Sequence, residues 1–312
     1  MNALFQIIIF PGFLFLFVFG LAAEFLDRKF YARLQNRVGP PWFQPLADFI
    51  KLVGKEEVIT ETADVAVFRV APLFALATTV TAIFYIPLWH EKALLSFEGD
   101  IIVVLYLLTI PSLTYFLGGW YSRSIFSMIG AVRSLTQLFA YEVPLFLSVL
   151  AAALLANTWS LSKMTHFYAV HPWLWVCNAI GFLVALIALL GKLEKVPFDI
   201  PEAETEMVAG SFTEYGGRLL AFFRMALDIE MVVGASLLAA VFLPWGLGLT
   251  FLPGFLLYLL KTVLIIGFIS LSRAVFARLR LDQMLGFCWK YLAPLAFLQV
   301  LLNLTLKGFL VR

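Results

Sequence analysis

The sequence predicts an all-α, polytopic membrane protein of about eight transmembrane helices, with a short interfacial amphipathic helix in its first loop. Two features of composition support this: 62% of the 312 residues are hydrophobic and only 13% are charged, where a soluble domain carries roughly 25% charged residues. The third observation is arrangement. The apolar residues come in blocks about 20 long, the length a helix needs to cross a ~30 Å hydrocarbon core. In lipid only helices or closed barrels satisfy the backbone, and continuous blocks, as opposed to ten-residue alternating segments, select helices.

In chain order the expected spans are residues 4–26, 68–88, 101–119, 137–156, 173–191, 219–243, 253–272 and 289–309, forming one transmembrane domain over 1–312. The first is expected to be a span and not a cleaved signal, because no Lys or Arg precedes its apolar run and the run is too long for an h-region. The odd-numbered loops and their flanks carry seventeen of the 22 basic residues, from Arg28 and Lys29 through Lys192 and Lys195 to Arg280 and Lys290. By the positive-inside rule those loops face the cytoplasm and both termini lie on the non-cytoplasmic side of the cell's inner (plasma) membrane. In the first loop, Trp42, Phe43, Leu46, Phe49, Ile50 and Val53 recur at helical spacing. This predicts a helix lying in the membrane interface, serving as a tether over the bundle or as a gate.

Several function classes are excluded. The basic residues flank spans instead of forming one stripe, so nothing points to nucleic acid. Cys177 and Cys288 stand alone, short of the roughly four thiolates an iron–sulfur cluster needs. His90, His166 and His171 fall in predicted loops, so no haem is held within the helices. The chain is expected to bind no redox cofactor or metal of its own.

The charges at membrane depth carry the remaining signal. Glu142 is expected near the start of the fourth span, beside Pro144; Arg224, Asp228 and Glu230 lie in the sixth, Lys261 in the seventh, and Glu24 and Asp27 close the first. A charge at the bilayer centre costs a few kcal/mol, so such groups usually line a wet interior and move protons or ions. Arg224 and Asp228, four apart, are also spaced to neutralise one another, and Glu24 and Asp27 also fit a headgroup position. The fifth loop, 192–217, holds six acids in 26 residues: Glu194, Asp199, Glu202, Glu204, Glu206 and Glu214. Clustered carboxylates raise one another's pKa, and the apolar residues between them, Phe198, Ile200, Met207 and Val208, suggest a loop folded back into the protein.

At these residues the chain resembles a known family. The segments 27-DRKFYARLQNRVGP-40, 44-QPLADFIKLVGKE-56, 130-GAVRSLTQLFAYEVPL-145 and 195-KVPFDIPEAETEMVAGSFTEY-215 are similar, in order, to signature regions of the complex I membrane subunit, the H subunit, beside the quinone-reduction site. They also resemble its counterparts in group 4 nickel–iron hydrogenases and related ferredoxin-driven complexes. The resemblance implies docking of a peripheral arm whose catalytic and iron–sulfur subunits carry the clusters and a nickel–iron or related centre, with Gln35, Arg37, Asp48 and Lys51 facing that arm. It also implies that Glu142 and the fifth-loop acids begin a line of charges running into antiporter-like subunits. The abbreviated 39-GPPWFQP-45 and Asp27, where quinone-type proteins usually have glutamate, look more like the ferredoxin-driven relatives; the 200–215 stretch stays close to complex I. Three other readings remain open: a quinone-binding subunit, a freestanding secondary transporter, for which no internal repeat is visible, and an anchor whose charges are interhelical glue.

Overall fold

A computed structural model describes residues 3–90, 92–201, 208–246 and 249–310. Among these the chain is helical and contains no strand. A short helix α1 (Ala3–Ile8) precedes α2 (Phe13–Leu34), and the first loop carries α3 (Gln44–Val53). Then follow α4 (Val65–Ala82), α5 (Asp100–Tyr121), α6 (Ile125–Ala156), α7 (Leu161–Val170), α8 (Leu174–Cys177) and α9 (Ala179–Lys192). The chain continues with α10 (Gly217–Phe242), α11 (Phe251–Val275), α12 (Leu281–Phe287) and α13 (Ala293–Leu310), the last two joined by a π-helical turn over Cys288–Leu292.

Seven stretches among the described residues are long and apolar enough to cross a membrane, and α9 is an eighth, shorter apolar helix. Its 14 residues span about 21 Å at 1.5 Å per residue. The expected fifth span begins at 173, but the chain turns at Asn178, so α8 is a separate turn. The fourth span differs more. Hydropathy places its start at 137, whereas α6 begins at Ile125 and runs 32 residues, about 48 Å. Its first three turns hold polar residues that lower local hydropathy, yet two of those side chains are satisfied by the fifth loop: Ser127 donates to the Ser211 carbonyl at 3.0 Å and Ser134 to the Glu194 carboxylate at 2.5 Å. Glu142 therefore sits at mid-helix, not near a helix start.

The bundle is built around α10, of which 89% of the most apolar stretch is buried, against 22% in the last span. α10 packs on α2, α4, α11 and α3, while α6 packs on α5, α9 and α13. Close approach depends on small residues. A Cβ on Gly130 would meet the Gly210 backbone at 2.5 Å, which lets the end of the fifth loop lie directly on α6. The last span is tied in by amides: Asn303 donates to Asn178 Oδ1 and to the Ala151 carbonyl, both at 2.7 Å, and Gln299 to Asn303 at 2.8 Å. Spans alternate in direction, so the loops after α2, α5, α9 and α11 share one end of the bundle, here the basic end.

Candidate functional site

At the basic end, α2, α3, α10 and residues 193–199 enclose a cavity of about 660 Å³. Most of its lining is charged: Glu24 and Arg28 from α2, Asp48 and Lys51 from α3, Lys195 and Asp199 from the fifth loop, Arg224 and Asp228 from α10, and Arg273 and Arg278 from the end of α11 and beyond. α3 is placed by its apolar side, Phe49 meeting Phe17 edge-on at 5.2 Å. That turns Asp48 inward, where it accepts from Arg28 at 2.9 Å and from Gln44 at 2.8 Å.

Asp27 is the most deeply held acid of this group, with no exposure to solvent. It accepts from Lys195 at 2.5 Å, from Ser270 at 2.7 Å and from Arg273. Arg273 lies with its guanidinium 4.7 Å from the centre of the Tyr31 ring. Glu24, one turn earlier, pairs with Arg28 at 2.6 Å and stands 3.7 Å from Lys195. Arg224 and Asp228, spaced to neutralise one another, both line this cavity together with Glu24, Arg28 and Lys195; Arg224 also lies 5.8 Å from the Phe212 ring centre.

A second cluster lies deeper. Lys192, at the end of α9, is 1% exposed and stands 3.0 Å from the carboxylate of fully buried Glu230. Its ammonium also donates to the Leu108 carbonyl and sits 5.7 Å from the centre of the Tyr141 ring. Tyr115 donates to Glu230 at 3.3 Å, and the hydroxyls of Tyr141 and Ser112 share a bond of 2.8 Å. Glu142, half-buried, is within electrostatic reach of Lys192. Glu194 ends α9 in a left-handed conformation, φ 50°, and this swings its carboxylate back to α6, where Ser134 donates to it at 2.5 Å.

The two clusters are linked by chain geometry. Asp228 and Glu230 are two apart on α10 and turn to opposite sides, one to the cavity and one to Lys192. Lys195 and Lys192, three apart, repeat the same division. Among the residues singled out from sequence, Glu24, Asp27, Asp48, Lys51, Asp199, Arg224 and Asp228 gather at the cavity or its wall, and Glu142 and Glu230 gather around Lys192. Glu214 is half-buried near the start of α10. Lys261 stands apart: its ammonium donates to the Trp245 carbonyl, in the loop opposite the basic end. Gln35 and Arg37 are exposed at the basic end, among exposed apolar side chains including Val38 and Trp42. Glu202, Glu204 and Glu206 lie outside the described residues. In the sequence Lys192, Lys195 and Arg273 register only as topology charges, yet they are the bases that hold the acids. No group of three or more His, Cys, Asp or Glu suited to a metal occurs among the described residues.

Outside the spans, Glu57 in the first loop accepts from Arg69 at 2.7 Å and from Arg218 at 2.6 Å. These hydrogen bonds, Arg69's first, hold its carboxyl below the ordinary glutamate value and tie the first loop to the starts of α4 and α10.

Comparison with known proteins bears on this arrangement. The family described as NADH dehydrogenase matches residues 5–304. The H subunit of NADH-quinone oxidoreductase from Thermomicrobium roseum is 37% identical over 92% of this chain and 89% of its own length. The corresponding H subunit from Carboxydothermus hydrogenoformans is 34% identical over 95% and 85%, and subunit 8 of the Thermus thermophilus enzyme 35% identical over 92% and 84%. Among solved structures, a chain of the membrane-bound sulfane sulfur reductase, an archaeal respiratory membrane complex, superposes with a TM-score of 0.82 at 27% identity, covering 93% of this chain and 96% of that one. Motifs, helical architecture and relatives agree: the chain belongs to the NADH dehydrogenase family, as a homologue of the complex I H subunit.

Proposed function

We propose that this chain is the membrane subunit of a complex I-like, ion-translocating redox complex of the hydrogenase or sulfur-reductase type. In this reading it docks a peripheral electron-transfer arm on the basic end, which faces the cytoplasm, and relays protons or coupling through its buried acids. The observation that supports it is the pair of linked acid–base clusters. A charged cavity at the proposed docking end leads through Asp228 and Lys195, on the same two segments, to Glu230 and Lys192, and on to Glu142 at mid-helix. An anchor needs no cavity at the end of such a chain, and a burial this costly is usually kept for moving charge. The electron carriers, iron–sulfur clusters and the nickel–iron or related centre, belong in this reading to partner subunits, with antiporter-like subunits alongside in the membrane.

A second reading, quinone binding, is favoured by the named activity of the curated relatives. The cavity lies where a quinone would enter, between the first loop, the first span and the sixth. Twelve of its twenty lining residues are charged, however, and ligand pockets for largely apolar molecules are lined mainly by apolar and aromatic side chains. Purification of the tagged chain from its native membrane in mild detergent tests both readings. Iron–sulfur subunits should copurify and turn over with reduced ferredoxin. Quinone-dependent turnover, blocked by a quinone-site inhibitor, would favour the second reading, and a chain purified alone and stable would contradict both.

A further inference from the structure

At the end opposite the charged cavity, a second cavity of about 410 Å³ opens between the residues before α2, the segment following α4 and the start of α11. Its walls are apolar and aromatic, with Phe10, Ile86, Trp89 and Phe251 prominent, and among the described residues its polar lining is Gln6, His90 and Lys92. The wall is firmly built. Phe10 and Trp89 meet at 5.1 Å, Trp89 and Phe251 at 5.8 Å edge-on, and Ile86 is 2% exposed. Its depth follows from topology: three spans end or begin here, so it lies at the boundary between hydrocarbon and headgroups. The neighbouring α1 is apolar and largely exposed, Leu4 at 70%, as expected of a surface in lipid.

Three features converge on one class of occupant. The volume lies within the range of small-molecule sites, about 300–1,000 Å³. Among the described residues the lining is apolar with one ammonium, that of Lys92, and a lysine binds phosphate as a point charge. Trp89, 5% exposed, also has an indole N–H with no acceptor among the described residues, and buried tryptophans usually find one. We propose that this cavity binds one acyl chain of a glycerophospholipid, with the lipid phosphate held by Lys92. A lipid is favoured over a helix from another subunit because the cavity is a pocket with one cation among its described lining residues, whereas a helix would need an extended groove.

The test uses the purified complex reconstituted with a phosphatidylglycerol carrying a diazirine in one acyl chain, irradiated, and mapped by peptide mass spectrometry. A diacylglycerol with the same chain serves as the phosphate-free probe. Phosphatidylglycerol adducts should concentrate on the peptides holding Phe10, Ile86 and Phe251, above the level on the exposed face of α13. Ala93→Trp, which fills the cavity from its wall, should lower them to that level. Lys92→Gln, at an exposed position, should lower phosphatidylglycerol adducts about fivefold, the upper end for one exposed ion pair, and leave diacylglycerol adducts unchanged. Adducts no denser than on α13, or equal in wild type and Lys92→Gln, would overturn the proposal. Crosslinks from these residues to another protein chain would assign the cavity to a subunit interface and overturn it as well. If Ala93→Trp does not assemble, the Lys92→Gln comparison decides alone.

Discussion

Replacing Asp27 by asparagine isolates the stability held in the first cluster. The carboxylate has no exposure and accepts from two cations, Lys195 at 2.5 Å and Arg273, and from Ser270 at 2.7 Å. Asparagine keeps the shape and an acceptor for Ser270 but removes the charge. Each lost charge-assisted bond is worth about 1.5–3 kcal/mol, which gives roughly 3–6 kcal/mol for two. Lys195 and Arg273 keep 18% and 22% of their side-chain exposure, so water recovers part of that. The expected cost is therefore about 3–4 kcal/mol, at the low end for breaking a buried pair. At about 2 °C per kcal/mol for a chain of this size, the midpoint of detergent-purified protein, followed by tryptophan fluorescence, should fall by roughly 6–8 °C. Glu24→Gln is the control: its closest partner, Arg28, is 40% exposed, so the loss should be about 1 kcal/mol or less. Combining Asp27→Asn with Arg273→Met should cost less than the sum of the two, because the second change removes a cation the first has stranded. An Asp27→Asn shift no larger than that of Glu24→Gln would refute this account of the cluster.

Other perturbations follow from the same geometry. Lys192→Met strands Glu230 in a fully buried site and should destabilise by about 3–5 kcal/mol, while Lys192→Met with Glu230→Leu should recover much of that loss in the same melts. Gly130→Ala drives a methyl into the Gly210 backbone at 2.5 Å; overpacking of this kind costs about 1–3 kcal/mol, and limited proteolysis should then cut the fifth loop faster. Because Glu57 has a lowered folded-state pKa, its contribution is present above the ordinary glutamate value of 4.5 and is lost as pH falls through the lower folded value. Melting profiles taken on the acid side should show a slope that Glu57→Gln reduces.

Much of this architecture is legible in the sequence because lipid leaves the backbone few choices: blocks of apolar residues mark spans, and the boundaries move only where that signal is diluted. The start of α6 is hidden because Ser127, Arg133, Ser134 and Thr136 depress hydropathy there, although Ser127 and Ser134 find partners in the distant fifth loop. The acids are legible individually for the same reason, since a charge in an apolar block stands out. Their partners are not. Lys195 and Arg273 reach Asp27 across 168 and 246 residues, and no local spacing encodes such a meeting. The four-residue spacing of Arg224 and Asp228 does suggest a pair, but not that both line a cavity with Glu24 and Lys195, which other segments carry in. Lys261 illustrates the converse: its position in an apolar span draws attention, yet its neighbour is a backbone carbonyl at the far end of the bundle.

The central claim is that the linked acids carry coupling and do not simply bind helices together. It is tested most directly by the ion translocated per electron in sealed vesicles containing the assembled complex with Glu142→Gln. Glu142 is half-buried, so the amide should leave assembly and electron transfer largely intact. The ion-to-electron ratio should collapse while ferredoxin oxidation continues. A wild-type ratio in the variant, or a complex that falls apart with no loss of coupling in what survives, would contradict it.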